Sequence, residues 1–156
     1  PPCQAYSITR NLKTNRNDHP DLIAETREAL KRTGLPYVIE NVPGAPLVNP
    51  LMLCGSMFGL GVIRHRLFEI SQPIYFAPMT CRHGPTLPMW WKSRKAALKT
   101  GKHYEYMTVA GKSFLVGEAR AAMRIDWMNR DELAQAIPPA YTDYIGRQLL
   151  AGLERT

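Results

Sequence analysis

Leu22, Ile23, Ala29 and Leu30 recur at the spacing of one helix face, and Gly34 ends the pattern. Asp18 is placed to cap that helix and Pro20 to sit in its first turn, which predicts an amphipathic helix over 20–33. Pro36 breaks it. Tyr37-Val38-Ile39 then reads as a short buried strand that runs into the polar and turn residues Glu40-Asn41-Val42-Pro43-Gly44. Helix, then strand, then polar residues at the strand's carboxyl end is the pattern of an α/β unit, and ligands bind outside such ends. Residues 45–63 mix Pro, Gly and Met without a clear period. Arg66–Ile70 and Ile74–Phe76 read as two strands around Ser71-Gln72-Pro73. Residues 77–117 show turn signals and little periodicity. Asn129 with Glu132 three residues on has the form of a capping box, so a short helix is expected to run to about Ile137. Pro138-Pro139 stop it, and a last helix over roughly 140–154 closes the chain.

Charge changes the picture in one place. The net charge is +7, yet from Ile70 to Tyr104 there is no Asp or Glu. That stretch carries Arg82, Lys92, Arg94, Lys95, Lys99 and Lys102, six cations that nearly account for the excess. A basic block of this kind suits a polyanion such as nucleic acid, or is a solvated basic loop. Trp90-Trp91 beside it suits either a wedge against DNA or the cap of a small apolar cluster. Tyr104, Tyr106 and Met107 read as packing.

At 156 residues and 45% hydrophobic composition the chain is long enough for one domain with its own core. No apolar run approaches the roughly 18 residues of a membrane span, and the first ten residues have no signal-peptide core. The chain opens Pro1-Pro2-Cys3 rather than on Met, so its start is expected to be processed or to lie elsewhere. Cys3, Cys54 and Cys81 are odd in number and unpaired in spacing, which argues for a reducing compartment. Cys81-Arg82-His83 brings only two potential metal ligands together, with Cys54 and His103 remote, so no metal site is expected.

Three short motifs carry candidate chemistry. Cys3 is stiffened by two prolines. Glu40-Asn41 ends a strand, where a carboxylate serves as a cap, an ion pair or a catalyst. Arg64 and Arg66 stand at i and i+2 and point to one side if the segment is extended.

Taken in order, Pro2-Cys3-Gln4, Glu40-Asn41-Val42 and Arg64-His65-Arg66 resemble the Pro-Cys-Gln, Glu-Asn-Val and Gln-x-Arg-x-Arg motifs of the C5-cytosine DNA methyltransferases. Ala134-Gln135-Ala136-Ile137-Pro138-Pro139 is similar to the family's last motif. Leu53-Cys54-Gly55-Ser56-Met57-Phe58-Gly59 before the arginines, and Ile125-Asp126-Trp127-Met128 before the last helices, look most like its small phage-type members. The likeness covers essentially the whole chain, with Val62 where the family has Gln and Gln135 where it has Asn.

The resemblance implies an α/β fold, an incomplete Rossmann-like methyltransferase sheet. Residues 1–71 would be the partial catalytic core, 72–117 a small basic target-recognition insert and 118–156 helices returning to the core. It implies methyl transfer from S-adenosylmethionine to C5 of cytosine in double-stranded DNA, on a base flipped out of the helix. Cys3 would be the nucleophile at C6, Glu40 the acid at N3, Arg66 a donor to the cytosine O2, and Arg64 a contact to phosphate or a holder of the loop. Pro2, Gln4, Asn41 and Val42 would support the loop, with Asn41 bracing it. Pro1, Gln135 and Ala136 would touch the methyl donor, and the six cations would face DNA. The family's Gly-rich donor-binding turn has no counterpart ahead of Pro1, so turnover is expected to need that N-terminal segment, and the chain would be a fragment, a remnant or one half of a split enzyme completed by an N-terminal partner segment. The alternative is a DNA-binding relative without turnover. No membrane partner is expected, and the expected setting is bacterial or phage-infected cytoplasm.

Overall fold

In the computed structural model of the chain, residues 1–7, 19–83, 99 and 105–154 are described. Among them are three strands and four α-helices: α1 (Ile23–Arg32), β1 (Val38–Asn41), β2 (Leu51–Leu53), β3 (Arg66–Ile70), α2 (Val116–Met123), α3 (Arg130–Gln135) and α4 (Pro139–Leu153). The mixed α/β class is borne out at that coarse level. The strands lie in the order β1-β3-β2, and both pairings are antiparallel.

Contacts divide the chain into two units. The first comprises Pro1–Leu53, His65–Tyr75 and Gln148–Thr156, the second Cys54–Arg64 and Phe76–Arg147.

The first unit is built on the sheet. Helix α1 begins three residues later than its sequence pattern suggests. The Asp21 carboxylate accepts from the Ile23 N–H at 3.0 Å and satisfies one of the donors that a helix start exposes; Asp18 lies outside the described residues. Gly34, at φ +67°, ends the helix as expected. Strand β1 runs on through Glu40 and Asn41, because β3 continues opposite them: Glu40 faces Phe68 and Asn41 faces Leu67. Alternation puts Ile39 and Asn41 on a fully buried face. Glu69, opposite Ile39, is buried with them and holds Arg27 of α1 through two 2.7 Å bonds. The same carboxylate accepts from the Val48 N–H at 2.8 Å. Residues 45–63, unreadable by period, contain β2. Ile74–Phe76 is not a strand: the Tyr75 N–H instead donates to the buried Gln148 side chain at 2.7 Å.

The second unit has an apolar core that includes Leu60, Val62, Met107, Val109, Phe114, Met123, Ile125, Leu133, Tyr141 and Ile145. A single parallel bridge joins Val62 to Met107. The 3-10 turn Gly55–Phe58 packs so closely on that bridge that a Cβ on Gly55 would lie 2.0 Å from the Val62 carbonyl oxygen. Only glycine fits there. Asn129 caps α3 as the sequence suggests, accepting from the Asp131 and Glu132 N–H groups while the Glu132 carboxylate accepts from the Asn129 N–H. Helix α4 starts on Pro139, the position where a missing N–H costs nothing. No helix among the described residues is long and apolar enough to cross a membrane.

Candidate functional site

The first unit gathers the N-terminal loop, the end of β1 and the start of β3. Pro1, Pro2, Cys3 and Gln4 are exposed. The Cys3 carbonyl closes a turn by accepting from the Tyr6 and Ser7 N–H groups, both at 3.0 Å. Burial and the Asp21 carboxylate push the Tyr6 phenol up to about 12, so it stays protonated where the loop returns to α1. Asn41 is fully buried; its Nδ2 donates to the Pro1 carbonyl at 3.4 Å, and its Oδ1 accepts from the Val42 N–H at 2.9 Å. One amide therefore braces the loop and turns the chain out of β1.

Beside it, Arg66 Nε lies 3.1 Å from Glu40 Oε1. Register explains the pair. Glu40 is opposite Phe68, and Arg66 is two residues from Phe68 on β3, the diagonal neighbour on the same face. The two side chains are only 33% and 18% exposed, so the carboxylate is part-buried and tied to a cation. Of the roles open to Glu40 in the sequence, the ion pair is the one visible. Arg66 also donates to the His65 carbonyl at 2.8 Å, and its guanidinium fork carries further N–H groups.

Arg64 does something else. It is buried in the second unit, where Nη1 donates to the Val109 carbonyl at 2.5 Å and Nη2 to the Ala134 carbonyl at 2.8 Å. Its own carbonyl accepts from the Tyr141 hydroxyl at 2.7 Å. These bonds engage Arg64 with backbone carbonyls of the second unit. Val62, where the resemblance led one to look for Gln, is fully buried and apolar.

Gln135 and Ala136 line a shallow open groove with Lys112, Met128, Asn129, Arg130, Asp131 and Glu132. Its carboxylates are engaged: Glu132 in the α3 cap, Asp131 with Lys112 at 4.0 Å. Arg130 is turned to the Lys112 and Phe114 carbonyls. A groove with engaged acids and no aromatic lining does not fit an adenine-bearing methyl donor. Of the basic residues, Arg82 and Lys99 are exposed. Lys92, Arg94, Lys95 and Lys102 lie outside the described residues, as do Trp90, Trp91, His103 and Tyr104.

The sequence reading missed two groups. The Arg27–Glu69 pair joins residues 42 positions apart, and no motif marks it. In the second unit, Cys54 is brought to Cys81 and His83, whose ligand atoms all lie within 4.8 Å of one another. Cys54 and Cys81 are not in a disulfide.

No family model, curated protein or solved structure matches the chain. Its functional reading therefore rests on its own residues and on the motifs quoted above.

Proposed function

We propose that this chain activates cytosine in DNA for modification at C5, as the C5-cytosine methyltransferases it resembles do. The observation that carries the proposal is the brace of Asn41 on the Pro1 carbonyl, next to the Glu40–Arg66 pair. Residues far apart in sequence, each from a motif of the resemblance, belong to one small unit. A Rossmann-like sheet is part of the same reading, and doubly wound sheets commonly carry antiparallel strands at an edge.

The chemistry follows from the groups present. The Cys3 thiolate adds to C6 of a flipped cytosine. Glu40 takes up a proton from solvent as the base enters and passes it to the ring nitrogen N3, while Arg66 donates to the neighbouring O2 and keeps the carboxyl in place. The product is an enamine with a nucleophilic C5. Once C5 has gained its new substituent, loss of the original C5 hydrogen and departure of the thiolate restore the ring. The resemblance implies S-adenosylmethionine as the source of the methyl group.

A proton can serve as the electrophile, so the first half of this chemistry is measurable without a donor. Duplex DNA tritiated at cytosine C5 should release tritium to water on incubation with the chain. Cys3→Ser should abolish release, and Glu40→Gln should slow it by on the order of 10²–10⁴ with the unfolding midpoint nearly unmoved. Salt-sensitive DNA binding with no release would instead establish the DNA-binding alternative, a protein that contacts phosphates but does not turn over.

A further inference from the structure

Cys54 is fully buried at the start of the 3-10 turn, while Cys81 is half-buried and His83 exposed. Three features fix this cluster. Gly55 lets the turn lie against the Val62 carbonyl, which holds Cys54 in the core. The Ser56 hydroxyl lies 3.5 Å from the Cys54 sulfur and 3.7 Å from the Cys81 sulfur, and its one proton can go to either. The His83 ring meets Tyr106 edge to face at 6.2 Å, next to Met107 of the bridge to Val62.

We propose that Cys54, Cys81 and His83 bind a divalent transition-metal ion of the zinc class. Two thiols and an imidazole are soft and borderline donors, which select zinc over magnesium or calcium. Ligand atoms around a tetrahedral zinc lie about 3.5–4 Å apart at bond lengths near 2.0–2.3 Å. The observed 4.8 Å limit therefore needs only small side-chain adjustment to admit the ion. On binding, each thiol loses its proton to solvent, and the two thiolates balance the dication. The Ser56 hydroxyl, within reach of both sulfurs, stabilises one thiolate at a time as an outer-shell donor. The fourth position goes to water or to a further side chain. The ion would fasten the Cys81–His83 segment to the turn at Cys54; His83 lies 29 positions after Cys54. It would thus have a structural role, separate from the chemistry at Cys3.

The test uses the full chain, purified without a metal-binding tag and titrated with cobalt(II) as a visible probe, then with zinc as competitor. One equivalent of cobalt should give a sulfur-to-metal charge-transfer band and the intense visible bands of a tetrahedral site, both bleached by zinc. Cys81→Ser and His83→Ala, at sites that are not fully buried, should each weaken affinity by more than the roughly 10–100-fold typical of losing an outer-shell partner. Ser56→Ala should weaken it within that range, and Cys3→Ala should leave it unchanged. Zinc should raise the thermal midpoint of the parent chain and not of Cys81→Ser. Absence of a thiolate band at one equivalent overturns the proposal. So does a band that survives Cys81→Ser and is lost in Cys3→Ala.

Discussion

Each unit engages an arginine, part-buried in the first and buried in the second, and the bonds differ. In the first, Arg27 of α1 meets the Glu69 carboxylate of β3 in a two-point ion pair. In the second, the Val109 and Ala134 carbonyls accept from the two terminal nitrogens of Arg64. An ion pair can be titrated apart. A cation held by backbone carbonyls cannot, because neither partner changes charge. The same residue type thus makes the first unit sensitive to acid, while the two carbonyl bonds of Arg64 in the second do not themselves titrate.

The largest test of this contrast removes one member of the ion pair. Glu69→Ala leaves Arg27 part-buried beside the Pro46 carbonyl without its counter-charge, and should cost about 3–5 kcal/mol. Adding Arg27→Met to it should restore much of that loss. Urea unfolding, with hydrogen exchange read separately on peptides of each unit, should place the damage in the first unit. If protection falls equally in the second, the division into independent holding devices is wrong.

Arg64→Met comes next. Two carbonyls lose a charged donor, for about 2–3 kcal/mol in the second unit. Arg64→Lys should recover less than half, since an ammonium cannot span both acceptors as the planar fork does. Full recovery by Lys would mean that only one of the two bonds matters.

A pH scan sharpens the contrast further. Arg27 holds the Glu69 carboxyl below its usual value of 4.5, with help from the Val48 N–H and against the opposing effect of burial. Because the folded value is the lower one, the unfolded chain binds the proton first. The stabilisation is complete above about 4.5 and is lost as pH falls through the depressed folded value. Hydrogen-exchange protection in the first unit should therefore decline over that window in the parent chain. The Glu69-dependent part of the decline should be missing from Glu69→Ala.

The smallest effect is local. Asn129→Ala removes the acceptor for the Asp131 and Glu132 N–H groups and should cost about 1 kcal/mol, confined to α3. A change that spreads to the first unit would again break the comparison.

Some of this was legible in the chain. The turn chemistry of Gly34, the Asn129 capping box and Pro139 set helix ends through groups within a few residues of each other, so local reading finds them. Strand β3 was bounded correctly at Arg66 and Ile70 because its apolar pattern and the following Ser-Gln-Pro are also local. Glu40, Asn41 and Arg66 could be named as candidates from their order. Other features needed the fold. The start of α1 moved because a side chain three residues past the expected cap supplied the acceptor. Whether the two arginines act together was undecidable from i, i+2 spacing; packing assigned one to backbone carbonyls and the other to Glu40. Cys54 lies 27 positions before Cys81, and no spacing rule brings the two together; the fold does, with Ser56 within reach of both sulfurs. The sequence by itself determined the local stops, caps and candidate chemistry, because these depend on dihedral preference and neighbouring donors. Only the tertiary structure decided which charges are neutralised by which partners, because a buried group's partner is whatever the packed chain delivers within hydrogen-bond reach.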